Sequence, residues 1–413
     1  IMRRKLFFVF SLALTFLACT TFATWSIETV DGGPVLQPEA ELEVNNADNL
    51  ALLSYESPGR NLHYSQRDGS TWNTTLIDPT GDSGFWNDLV FDVSGEPHIA
   101  YSRNSSAGYQ VMYGYRDGDD WTLELVANTD ACEHYVSLAL DSDNQPHICF
   151  FDSSGSGGIK HTWKVDDVWS TELIDEMGYM ADIGVAPGDI VQVVYTDEND
   201  HLKFAERITG SWITSSALTG VSILRPPCFE VTSTGTGYAM IVDDASLEVL
   251  CLTRVPESKL WDEHFVCADM QISEYYDLTL DSNDLPHLAI YYSNILFYDY
   301  MSSPGIWSSE NVDYGAHGSN VAANLAVDSQ GNVMLSYYTW VYKRFNLKTR
   351  SSGSWSPHEV ILESEFVGEF NSLDIDSDGI PHICYFSNSG TKMKYAQMDN
   401  QLWNIDIINP DGY

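Results

Sequence analysis

Six side chains recur in one register of this 413-residue chain: Asp88, Ser137, Asp182, Asp277, Asn324 and Ser372. If that register faces the axis of a ring, its carboxylates could hold a cation or order water at a channel mouth. A second acidic group, Asp374, Asp376 and Asp378 followed by Gly379, spells the first half of a calcium loop. Asp374 stands inside an alternating run, however, and no glutamate occupies the twelfth position. Asx-turn hydrogen bonding explains these aspartates without metal. No cofactor is therefore expected, with calcium as the alternative reading. His98, His147, His287 and His382 each follow a proline. One per repeat at equal height, they would stand too far apart to share a zinc ion, whose ligands lie about 2 Å away. They read as hydrogen-bonded structural imidazoles. Aromatic side chains form a further set: Trp86, His134, Tyr135, Tyr179, Tyr275, Tyr276 and Phe370, joined by Trp340, Tyr342 and Arg344 of one cationic-aromatic loop. Such groups could stack on sugar rings or anchor a partner protein, or fill the gaps between structural units.

What positions them is a repeat. Trp25, Trp72, Trp121, Trp169, Trp212, Trp261, Trp307, Trp355 and Trp403 recur at intervals of 43 to 49 residues. A period of roughly 40–50 residues is that of four-stranded propeller blades. The stretches 92–101, 141–150, 281–290 and 376–385 nearly superimpose, each an Asp-led turn followed by Pro-His and an apolar run. Alternating runs on both sides of an Asp/Asn/Gly cluster mean a hairpin, here strands A and B. Strand C follows in runs such as Leu62-His63-Tyr64, and the register tryptophan opens strand D. Eight such units are traced, near 41–78, 85–128, 135–175, 180–218, 228–268, 276–313, 321–363 and 371–408. The expected fold is all-β, a propeller of four-stranded antiparallel blades, with eight preferred over seven or nine. Residues 25–31 form a ninth strand D for ring closure, yet the eighth unit has a strand D of its own from Trp403. One of the two is then redundant, or the array continues past Tyr413. In this topology the D–A and B–C loops share one face, opposite the A–B and C–D turns.

The C–D turn Ser65-Gln66-Arg67-Asp68-Gly69-Ser70-Thr71-Trp72 resembles the Asp-box of sialidase-type (BNR) propellers, although Asp68 lies one residue late. The Pro-His-Ile-Ala-Tyr pattern is similar to that of exported bacterial propeller repeats. The resemblance covers nearly all of the chain after residue 23 and implies the fold. It implies no sialidase catalysis, because the family's arginine clamp does not carry over. Arg67 and Arg116 fall in C–D turns, the face away from the family's active site. The family's early Arg-Ile-Pro motif has only a weak echo in Arg225-Pro226-Pro227.

Bulk properties narrow the classes. Residues 1–23 read as a signal peptide, with basic Arg3, Arg4 and Lys5 before an apolar run and small residues near the cut. Lipid anchoring through Cys19 is the alternative. The protein is thus expected outside the cytoplasm, secreted or periplasmic, and no later run reaches the roughly 18 apolar residues of a membrane span. With 20 Lys+Arg against 59 Asp+Glu, the net charge is −39. That surplus excludes nucleic acid as a partner, since phosphate contacts need a basic face. It suits salty surroundings, with cation binding as the functional alternative. Cys149 and Cys384 stand where sister repeats have alanine and read as buried thiols, while Cys228, Cys251 and Cys267 leave room for one bridge. The expectation is an exported, monomeric binding module for a glycan or surface protein, its ligand on the D–A/B–C face. A polysaccharide-active enzyme on that face, and a passive scaffold, are the alternatives.

Overall fold

The computed structural model describes residues 26–29 and 40–404, apart from 46, 57–59, 69–70, 107, 119, 130–135, 154–156, 257–258, 269–271, 293–294, 315–322, 340–343, 358, 364–366, 388–391 and 400–401. Its strands form eight antiparallel sheets, and neighbours in sequence are neighbours in each sheet except at the outer edges of blades 7 and 8. The blades span 40–78, 82–129, 136–175, 179–218, 228–268, 272–314, 323–363 and 367–404. The array is an eight-bladed β-propeller, as the tryptophan period implied. Strand A is innermost, and successive blades pack through their apolar faces. Ala51, Leu53, Leu62 and Tyr64 of blade 1 meet Leu89, Ile99 and Tyr101 of blade 2, and Val194 and Phe204 of blade 4 meet Phe229, Ala239 and Ile241 of blade 5. Each blade thereby buries two faces, which no isolated four-stranded sheet could do.

Five of the A–B turns are built alike because one aspartate organises each. Asp92, Asp141, Asp281, Asp328 and Asp376 accept backbone N–H groups two and four residues on, at 2.8–3.1 Å. The third residue after the aspartate must take positive φ. It is Gly95, Gly331 and Gly379 in three blades, but Asn144 and Asp284 in two others, the side chains that tolerate this region best after glycine.

Ring closure uses both candidate strands. Ser26–Thr29 pairs antiparallel with Lys394–Gln397, and Leu402–Asn404 pairs with Gln397–Asp399, so the two share the outer edge of strand C in blade 8. Neither is redundant in the described structure. Blade 7 divides its outer strand in the same way, into Ser354–Trp355 and Glu359–Glu363. Cys228 and Cys251 are not in a disulfide, so the bridge expected in blade 5 does not join them; Cys149 and Cys384 are buried thiols, as expected.

Candidate functional site

Strands A and the loops before them enclose an axial cavity of about 850 Å³, lined by residues of seven of the eight blades. The recurrent polar register lies here: Asp88, Ser137, Asp182, Asn324 and Ser372 line it, and Asp277 holds the same sheet register opposite Ala289. These side chains do not hang free. Each carboxylate or hydroxyl reaches the strand A of the next blade. Asp88 accepts from Leu138 N–H at 2.6 Å, Asp182 from Phe229 N–H at 2.8 Å and Asp277 from Leu325 N–H at 2.8 Å. Ser137 donates to Asp182 at 2.7 Å, and Ser372 accepts from Leu42 N–H at 3.3 Å. The register is therefore a stitch between blades as well as a channel lining.

Sequence reasoning missed the second inward register, two residues further along strand A. It holds Glu43 and Glu230, both in the cavity wall, and Asp374, which accepts from Val44 N–H at 2.7 Å. Cys228 occupies the first register in blade 5 and also lines the cavity. Strand alternation carries this signal, since positions 41 and 43, 228 and 230, and 372 and 374 share a face. Enclosure by protein raises these carboxyls above their usual range. Burial, with lesser repulsion from neighbouring acids, pushes Glu230 to about 8, and burial pushes Asp88 to about 7, against two backbone N–H bonds. Burial likewise pushes Asp277 and Asp374 to about 6 and raises Asp182 and Glu43, the latter repelled by Asp374, Asp88 and Glu230.

The proposed calcium triad is not brought together. Asp374 belongs to the channel, whereas Asp376 caps its turn and accepts from His382 Nε2 at 3.0 Å. No group of three His, Cys, Asp or Glu side chains placed to hold a metal occurs among the described residues. The Pro-His residues are structural links. His287 Nδ1 bonds Tyr298 at 2.6 Å and His382 Nδ1 bonds Tyr395 at 2.5 Å, and His98 bonds Tyr113 likewise. In blade 3 the tyrosine is replaced by His161, 3.0 Å from His147. Burial lowers the proton affinity of His98, His147, His287 and His382, and drops His161 to about 4.

On the D–A/B–C face, Trp86 lines the cavity together with Pro226 and Pro227. It sits two residues before Asp88, at the mouth. Tyr179 instead donates to Asp200 of its own blade's B–C turn, and burial, aided by that bond, raises its phenol to about 12. Arg344 opens strand C of blade 7, opposite Thr339. Tyr275, Tyr276 and Phe370 lie in strands A of blades 6 and 8, but their side chains are outside the description. His134, Tyr135, Trp340 and Tyr342 lie outside the described residues. Arg67 and Arg116 lie over the rings of Tyr395 and Tyr64 in the neighbouring blade, 4.8 and 5.6 Å from the centroids.

No protein-family model and no curated protein matches the chain. Solved structures do. The BP39L lectin from Burkholderia pseudomallei is 13% identical, with a TM-score of 0.55 over 83% of this chain and 100% of that one. Virginiamycin B lyase from Staphylococcus aureus is 10% identical, with a TM-score of 0.48 over 87% of this chain and 100% of that one. Aleuria aurantia lectin in complex with Fucα1-6GlcNAc is 13% identical, with a TM-score of 0.42 over 68% and 96%. At these identities the likeness to the first is one of fold alone.

Proposed function

We propose that this chain is an exported carbohydrate-binding propeller whose ligand enters the axial cavity from the D–A/B–C face. The observation that carries the reading is the cavity mouth itself. It combines an aromatic side chain, Trp86, and the Pro226-Pro227 step with a wall of carboxylates. A sugar presents C–H faces that pack on an aromatic ring and hydroxyls that donate to carboxylate oxygens, so both halves of the mouth suit a neutral glycan. A lectin from Burkholderia pseudomallei is built on a similar frame, which supports the reading without deciding the sugar. A surface protein presenting glycans would meet the same face.

One observation favours an enzymatic second reading. Carboxyls pushed to about 7 and 8 at Asp88 and Glu230 are in the range of a general acid at neutral pH. A glycan array run beside a reducing-end assay separates the two. Retention of neutral glycans without product is the expected result, with Trp86→Ala lowering affinity about tenfold. Release of new reducing ends would overturn binding as the sole function. Silence in both assays would leave a scaffold.

A further inference from the structure

Three gaps between blades share one arrangement, and the gap between blades 4 and 5 keeps its donors without the acceptor. Between blades 3 and 4, Arg207 Nε and Trp212 Nε1 both donate to Glu172 at 2.6 Å. Between blades 6 and 7, Arg350 Nε and Trp355 Nε1 donate to Glu310 at 3.0 and 2.8 Å. Between blades 2 and 3, Lys164 and Trp169 converge on Glu124, each at 2.7 Å. The glutamate always stands on strand D of the preceding blade, opposite an aromatic residue of strand C: Tyr113, His161 or Tyr298.

Between blades 4 and 5 the corresponding residue, opposite Phe204, is Ser215. Arg254 and Trp261 keep their places. The guanidinium lies 4.1 Å over the Phe204 ring, and Trp261 meets that ring edge-on at 5.5 Å. Arg254 Nε and Trp261 Nε1, the counterparts of the donors that hold a glutamate elsewhere, are buried without a hydrogen-bond partner among the described residues. Arg254 is only 3% exposed. Glu206 satisfies the other edge of the guanidinium, accepting from Nη2 at 3.0 Å, and also takes Lys259 at 3.3 Å. Among the described residues, two cations thus share one carboxylate. Ser215 is exposed, and its side chain is too short to bring an acceptor to where a glutamate carboxylate sits in the sister gaps. Buried N–H groups without an acceptor are rare in native folds and ask for an explanation such as an unseen ion or ligand.

We infer that the gap between blades 4 and 5 is a ligand site for a carboxylate, seated on Arg254 Nε and Trp261 Nε1 in place of the missing glutamate. The sister gaps show the chemistry these donors accept. Ile213, paired across the sheet with Glu206, and Leu260, next to Trp261, are 50% and 70% exposed and offer apolar surface at the same gap. That combination suits a sugar acid. The carboxylate follows from the geometry, whereas the sugar rests on the carbohydrate-binding reading above.

The test follows the Trp261 indole N–H signal in full-length protein labelled with ¹⁵N-tryptophan. D-Glucuronate is expected to move it and D-glucose to leave it. Ser215→Glu should supply an internal carboxylate, abolish the glucuronate response and raise the melting temperature. Trp261→Phe, which keeps the ring on Phe204 but drops the donor, should weaken glucuronate about tenfold in calorimetry. A Ser215→Glu protein that still responds to glucuronate would overturn the site, as would a wild-type protein indifferent to both glucuronate and acetate. A response to acetate alone would overturn the sugar acid. Neutral-glycan binding and its loss in Trp86→Ala report on the channel mouth separately, so failure of either reading is recognisable by itself.

Discussion

Asp299 in strand C of blade 6 is 2% exposed, and its Oδ1 has no hydrogen-bond partner among the described residues. Burial pushes its carboxyl to about 6. Blades 1 and 3 carry Ser65 and Thr162 at the same register, each hydrogen-bonded. Asp299→Thr is therefore expected to stabilise the fold at pH 8 by roughly 1–2 kcal/mol, the scale of an unsatisfied buried polar group. The sign with pH is set by the raised value. The ionised form opposes folding, so its penalty is complete above about pH 6 and fades as pH falls toward the unfolded value near 4. Urea unfolding at pH 8 and pH 4.5 checks this, and an equal gain at both would refute the charge argument. Single residues were legible from sequence where a blade repeats them. The six-member polar register and the four histidines could be aligned by eye. Glu43, Glu230 and the paired lack of acceptors at Arg254 and Trp261 could not, because each departs from its sister blades and only geometry shows what the departure leaves open.

The element that sequence left undecided was the strand closing the ring. Both candidates carry the register tryptophan, and pattern alone ranks them equally. Pairing assigns them adjoining stretches of one edge, with Ser26–Thr29 holding Lys394–Gln397. The register is informative, since Glu28 stands opposite Tyr395 as Glu124 stands opposite Tyr113 and Glu310 opposite Tyr298. The closing strand thus occupies the register of the inter-blade glutamates. Removing residues 26–29 should lower amide-exchange protection at Lys394–Gln397 first, at about 1 kcal/mol per hydrogen bond lost. Protection in blades 3 to 5 should change least. Uniform loss across all blades would mean that closure and core unfold as one unit.

At the scale of the whole molecule, titration of the channel opposes titration of the histidines. Asp88 and Glu230, at about 7 and 8, lie above their unfolded values, so ionising them costs stability as pH rises through 4 to 8. The buried histidines lie below theirs, so their contribution is lost only as pH falls under 6.5. Between pH 6.5 and 8.5 the carboxylates act alone, and the melting temperature should fall with rising pH. Asp88→Asn with Glu230→Gln should flatten that slope; an unchanged slope would place its origin elsewhere. The fold was legible at this scale because eight copies of one hairpin pattern average out local noise. The ligand face was less so, since loops that differ between blades share no pattern to align.

The closing strand also gives the ring a polarity of presentation. Every strand D starts at the A–B/C–D turn face and ends at the loop face, and Ser26–Thr29 takes the place of such a strand. Ser26 itself therefore stands on the turn side. A support that grips the turn face would leave the mouth with Trp86 pointing outward, away from it.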